Sequence, residues 1–316
     1  VCQSNLPWLR VYKILATLTQ VIPREHLQTR YHSEMKQENI EHVSVYGALH
    51  SPWVQAVLLG LHAKGIPHSV QPIPSLSSLI RSGLMMPAAK INDGLWQLDS
   101  EEILKSLGYE GIDKIHKRAI FPTWDGVLHR VDNPFEFFYG FSLNKYDHPS
   151  FLVRGLRSFL RPFITYYFFT LISFLILTGK RRDPDNFADQ FLPWERRLSQ
   201  TGSKYFGGSS PNAVDLQLFG ILQCHCSIPY DPLIETIQSD PALPQYRKWI
   251  GHMQRHFADY KHLYSGQYFG PETPLAQRSD LLERVLYWFG ALLMLMLLPI
   301  TLLSVCTLAL LPNRNY

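Results

Sequence analysis

Ser51 is the residue of this chain best placed to act on a negatively charged atom. It follows a short β-branched and aromatic run, Val43 to Ala48, and precedes Pro52, a residue favoured at the first position of a helix. A hydroxyl there lies where backbone N–H groups and the helix dipole favour anions. The same placement describes an ordinary N-cap, and the residues leave both roles open. His50 beside Ser51 suggests a hydrolytic pair, yet no G-x-S-x-G elbow surrounds it. Tyr46 offers a second hydroxyl nearby. Asp99 and Ser100 open a helical run at Glu101, as caps or as contacts to a ligand. Asn212 and Asp215 have the spacing of a capping box that starts a buried helix. Cys224-His225-Cys226 is too tight for common zinc spacings and reads as helix packing, so no metal site is expected.

These residues need elements to hold them. After the strand ending near Ala48, Trp53 to Lys64 reads as a helix that stops at Gly65. His68 to Ile73, Ala88 to Ile91 and Leu95 to Leu98 read as further strands, the last two joined by Asn92-Asp93-Gly94, and Glu101 to Leu107 as a helix. A βαβ unit, a hairpin and a helix describe a thioredoxin-type α/β lobe over 43–110. Beyond Gly111 the patterns are helical: Asp113 to about His129, Phe187 to Gln200, Asn212 to Cys226 and Tyr246 to Phe257. An all-α domain over 111–270 follows, with an apolar insertion at about 145–182.

The chain has 316 residues, of which 46% are apolar and 18% charged. That excludes a disordered or collagen-like polymer. A net charge of +4 is too small to argue for nucleic acid, though it suits an anionic membrane face. Four scattered cysteines fit a reducing compartment. Mean hydropathy is only −0.08, but Val285 to Pro312 contains no charged side chain. At about 1.5 Å per residue this run exceeds the roughly 30 Å hydrocarbon core. It is expected to be a C-terminal transmembrane helix after a linker at 271–284, a single-pass anchor kinked at Pro299 with the soluble domains on the cytosolic side. Pro162 to Thr178, flanked by Arg154, Arg157, Arg161 and Lys180-Arg181-Arg182, reads as an interfacial or re-entrant helix, a core or dimer-interface helix, or a true span. Residues 1–42 form an amphipathic extension with Trp8, Val11, Tyr12 and Leu15 at helical spacing.

Tyr46-Gly47 before Ser51-Pro52-Trp53, then Met86-Pro87, then Leu98-Asp99-Ser100-Glu101-Glu102-Ile103, then Tyr205-Phe206-Gly207-Gly208 through Asp215 together resemble the glutathione transferase family, serine or omega-like type. The resemblance runs from Val43 to roughly Tyr264. It implies a thioredoxin-like N-terminal domain, an all-α C-terminal domain, glutathione as co-substrate and its transfer to apolar electrophiles. Ser51 would then stabilise the thiolate, and Met86, before a cis Pro87, would pair with the tripeptide backbone. Asp99 would meet the α-ammonium and Ser100 the α-carboxylate. Arg81 would meet the glycyl carboxylate, or be a solvated loop cation. Serine instead of cysteine at position 51 leaves no mixed disulfide to form there. A peroxidase acting on lipid hydroperoxides is a further option, and family habit suggests a homodimer. The small Met86-Pro87-Ala88-Ala89 stretch, the insertion and the tail depart from the pattern. They support an alternative: a non-catalytic scaffold of the same fold with a membrane-protein partner.

Overall fold

Val43–Tyr46 (β1) is buried at three of its four positions, as befits a central strand. In the computed structural model, which describes residues 40–71, 85–92, 94–146, 148–177, 184–270, 276–301, 303 and 304, β1 pairs in parallel with His68–Gln71 (β2). On its other side it pairs antiparallel with Ala88–Ile91 (β3), which pairs antiparallel with Trp96–Leu98 (β4). The order β2-β1-β3-β4 is the small mixed sheet of the predicted lobe. Pro52–Ala63 (α1) joins β1 to β2, and Ser100–Ser106 (α2) follows β4.

The α1 helix is apolar on nearly every face because it is packed on both sides. Val54, Val57, Leu58 and Leu61 have no exposed surface, each contributing roughly 1.5–3 kcal/mol by burial. One neighbour is the sheet. The other is Ala213–Ser227 (α7 in chain order), buried along its whole length. The two backbones approach at Gly220, where a Cβ would overlap the Pro52 carbonyl oxygen and lie 2.9 Å from the Ala56 nitrogen.

The helical half contains Lys114–Thr123 (α3), a 3-10 segment Asp125–Val131, Pro134–Ser142 (α4), Phe151–Leu177 (α5), Leu192–Thr201 (α6), α7, Asp231–Ser239 (α8), Pro244–His256 (α9), Gly266–Phe269 (α10) and Leu281–Met296 (α11). Three sequence expectations need correction. The helix expected from Asp113 to His129 stops at Thr123, since Pro122 in its last turn lacks an N–H and crowds the preceding turn. The helix expected from Phe187 starts at Leu192. A turn comes first, held by Ala188 N–H donating to Asn186 Oδ1 (3.1 Å), and Pro193 then takes an early helix position. The apolar run does not begin at Pro162 but at Phe151, within the expected insertion. It is one 27-residue helix with that proline inside.

Arg161, one of the cations flanking the run, is buried. Its guanidinium donates to the carbonyls of Phe141 and Asn144 and to Ser158 Oγ, tying α5 to the end of α4. Arg154 is likewise engaged, 2.8 Å from Glu283. Among the described residues α5 is the helix long and apolar enough to cross a membrane, with a window of mean hydropathy 1.6 that is 28% buried. The C-terminal helix expected over 285–312 begins earlier, at Leu281, and its first half belongs to the body: Tyr287, Gly290 and Ala291 are buried against α5. It ends at Met296, ahead of Pro299, and a helical turn resumes at Leu298. Residues 305–312 of that expected span, Arg81 and residues 1–39 of the expected extension lie outside the described residues.

Candidate functional site

Three predicted segments meet near the start of α1. Ser51 is its N-cap residue, with φ −77° and ψ 128°, Pro52 following, and no side-chain cap hydrogen bond. A side chain that caps its own helix would be spent on an N2 or N3 amide; this hydroxyl is not. The turn feeding it is fixed from below. Ser51 N–H donates to the Ala48 carbonyl (2.9 Å), Gln55 Nε2 donates to the Leu49 carbonyl (2.7 Å), and Tyr260 O–H donates to Gln55 Oε1 (2.9 Å). Gln55 was not singled out in the sequence, where it reads as one polar residue in an apolar helix.

Met86–Pro87 is a cis peptide, as the resemblance implies. Ala48 N–H points at the Met86 sulfur (3.4 Å), placing the end of the first strand segment beside this turn. Asp99 adopts φ 72°, a left-handed conformation that costs a non-glycine residue about 1–3 kcal/mol. Its carboxylate accepts from Glu101 N–H (2.8 Å), capping α2, so the cap reading of Asp99 is realised. Ser100 is buried and its hydroxyl accepts from Gln217 Nε2 (2.8 Å). Gln217 Oε1 is buried with no partner among the described residues. Gln217 and Gly220 lie one turn apart on α7, so one helix face clamps both Ser100 and the α1 start. Neither residue was read as functional; a glutamine and a glycine three apart in an apolar helix were the available signal.

The Asn212–Asp215 capping box is present: Asn212 Oδ1 accepts from Val214 and Asp215 N–H, and Asp215 Oδ2 from Asn212 N–H. Asp215 does more than the pattern required. It also accepts from Phe206 N–H, Gly207 N–H and Trp249 Nε1–H, joining the preceding turn and α9 to the start of α7.

The electrostatics around Ser51 are those of an interior. Burial, then the Arg161 and Arg278 guanidinium groups, hold the His50 imidazole well below its ordinary value, so it is neutral. Both its ring nitrogens lack partners among the described residues. It lies edge-on to Phe141, with centroids 4.4 Å apart. Neutral and unpaired with a carboxylate, it is not oriented as a general base. Burial, with Tyr167 adding to it, raises the Tyr46 hydroxyl above the ordinary phenol value and leaves it a donor. Cys224, His225 and Cys226 are all buried in α7. The Cys224 carbonyl accepts from Arg130 Nη2 at 2.7 Å, and no metal-binding group of His, Cys, Asp or Glu occurs among the described residues.

The surroundings of the site hold the main departure from expectation. Ser51 is 2% exposed. The inserted helix lies over its neighbours: Ala48 and Ile164 form a buried pair, with Met86, Phe163, Tyr167 and Phe168 packed against it.

No family model matches this chain, and no curated protein does. Among solved structures it is similar to a dehydroascorbate reductase of Chlamydomonas reinhardtii, 15% identical, covering 72% of this chain and 98% of that one with a TM-score of 0.40. A human glutathione S-transferase T1-1 mutant in apo form is 14% identical, covering 83% and 99%, also at 0.40. A glutathione S-transferase of Drosophila melanogaster is 15% identical, covering 75% and 100%, at 0.38. At these scores the likeness carries no functional argument. The fold rests on the strand order, the cis Met86–Pro87 turn and the helices described above.

Proposed function

We propose that this chain is a membrane-anchored, glutathione S-transferase-like protein that binds glutathione and transfers it to apolar electrophiles, with the Ser51 hydroxyl stabilising the thiolate. The observation that carries the reading is that hydroxyl: at the opening of α1, uncommitted to its own helix, where a hydrogen bond and the helix dipole both favour a thiolate. In this reading the Met86 backbone pairs with the tripeptide. Ser100 holds the α-carboxylate, and Asp99 with Gln217 Oε1 receives the α-ammonium. The tail beyond Ala291 keeps the protein on a bilayer, with the folded domains in a reducing compartment that suits the free thiols of Cys224 and Cys226.

A second reading is a non-catalytic scaffold of the same fold at a membrane. It is favoured by the 2% exposure of Ser51 and by the side chains of α5 packed over Ala48 and Met86. Titration of the full chain with glutathione, followed by turnover of an apolar electrophile, separates the two. The transferase reading expects saturable binding and a loss of turnover of about 10²-fold in Ser51→Ala, the scale of removing one donor from a developing anion. Absence of binding, or an unchanged rate in that variant, rejects it and leaves the scaffold.

A further inference from the structure

We propose that the exposed apolar stripes of α5 and α11 together seat the helical domain flat on an anionic lipid leaflet, forming a collar beside the point where the tail enters the bilayer. This deepens the tether reading above and depends on it for the location of the lipid.

On α5, Leu152, Leu156 and Leu160 recur every fourth residue and are between 37% and 68% exposed. On α11, Leu282, Val285 and Phe289 form a second stripe, each more than half exposed. The stripes meet where the Phe159 and Phe289 rings lie 6.0 Å apart. The helices run in the same direction, since Arg154 meets Glu283 near their starts and Tyr166 O–H donates to the Ala291 carbonyl (3.2 Å) further along. Their relative position is set by close packing: a Cβ on Gly290 would overlap the Phe159 carbonyl oxygen, and Tyr287 O–H donates to Thr165 Oγ1 (2.8 Å). The stripes are therefore one rigid surface. A contiguous apolar patch of this kind on an otherwise polar exterior marks an interface.

The tail identifies the occupant. Beyond Ala291 the exposed side chains no longer keep to one side: Leu292, Leu293, Leu295, Met296, Leu297 and Leu298 are all exposed, while Met294 is half-buried and Thr301 buried. A groove on a partner protein covers one face of a helix, whereas lipid covers every face. The chain continues without a charged residue through Pro312, an apolar run long enough for a hydrocarbon core of roughly 30 Å. The stripe is continuous with this segment, and lipid around the one reaches the other. Charge points the same way. The α5 helix has no acidic residue. Arg284 pairs with no carboxylate among the described residues and Arg157 lies over the Tyr146 ring at 4.0 Å, while Asp280 and Glu283 are engaged by Arg154. A cation without a carboxylate partner is attracted to an anionic surface. Further along α5, on the side that carries the stripe, Phe163, Ile164 and Tyr167 pack around Ala48, three residues before Ser51, so the collar places the candidate site beside the leaflet.

The test is flotation of the full-length protein with phosphatidylcholine vesicles, with and without phosphatidylglycerol. A tail variant changes Leu292, Leu295, Met296 and Ile300 to Gln. A combined variant adds Leu156→Glu and Val285→Glu, or Gln at both positions should Glu disturb the circular dichroism spectrum. The tail variant is expected to float with phosphatidylglycerol vesicles in low salt, about tenfold less in high salt, and the combined variant to remain unbound. A tail variant that binds no vesicle while the unaltered chain floats overturns the collar and leaves the tether standing. An unaltered chain that floats with neither vesicle overturns the tether and the collar together. A tail variant that is a lipid-independent dimer, broken by Leu156→Glu, overturns the collar in favour of an interface between copies.

Discussion

Replacing Asp215 by Ala is expected to cost far more than its place in a capping box implies. Four N–H groups donate to its carboxylate: those of Phe206, Gly207 and Asn212 at 3.0 Å each and Trp249 Nε1 at 2.8 Å. The side chain is fully buried, so its removal strands donors that water reaches poorly. At about 1 kcal/mol net per hydrogen bond, and more for a charged acceptor, the loss is about 4 kcal/mol. Asn212→Ala removes two acceptor contacts at one helix end, a loss of about 1 kcal/mol. A box that only started a helix would make the two substitutions comparable. Urea unfolding of the full chain in mild detergent, followed by tryptophan fluorescence, measures both. With a slope of about 2 kcal/mol per molar, Asp215→Ala lowers the midpoint by about 2 M. Equal costs for the two variants, within about 0.5 kcal/mol, would refute the claim that this carboxylate joins three segments. The consequence for function follows from α7, which holds both the α1 start and Ser100.

Gly220→Ala, whose Cβ would overlap the Pro52 carbonyl oxygen, is expected to lower stability by about 1–3 kcal/mol and to weaken glutathione binding, read by thermal unfolding and titration. Tyr167→Ala with Phe168→Ala removes rings packed against the Ala48–Ile164 pair. If α5 obstructs the thiol end of the site, glutathione binds more tightly in that double variant, and unchanged affinity argues that α5 is no obstruction. Burial, then Arg130, holds His225 down at about 3, below its unfolded value of about 6.5. The unfolded chain therefore takes up this proton first as pH falls. Stability present above pH 6.5 is lost between there and about 3, at up to about 1.4 kcal/mol per pH unit. His225→Gln is expected to flatten that slope in a pH series of urea midpoints, and an unaltered slope would count against it.

Local chemistry determined the lobe in advance. The alternation and turn residues of 43–110 specify β1, α1, β3 and β4 nearly to the residue, because strand alternation, the β3–β4 turn and helix starts depend on neighbours in the chain. The capping box was readable for the same reason: Asn212 and Asp215 are three apart and satisfy each other's backbone. Whether Ser51 caps its helix or keeps a free hydroxyl was not readable, since both roles use the same residue before the same proline. Only the tertiary structure decided that the hydroxyl makes no cap bond and that Ser51 is buried. It also decided that Asp215 reaches Trp249, that Gln217 holds Ser100, and that Arg161 is an interior staple. Contacts of this kind join residues from 17 to 117 apart in the chain, with side chains whose periodicity looks alike in either arrangement. The apolar tail shows the same division. Its composition marked it for lipid, but packing of Tyr287 and Gly290 against α5 decided that its first turns belong to the protein and that runs of consecutive exposed apolar side chains begin only after Ala291.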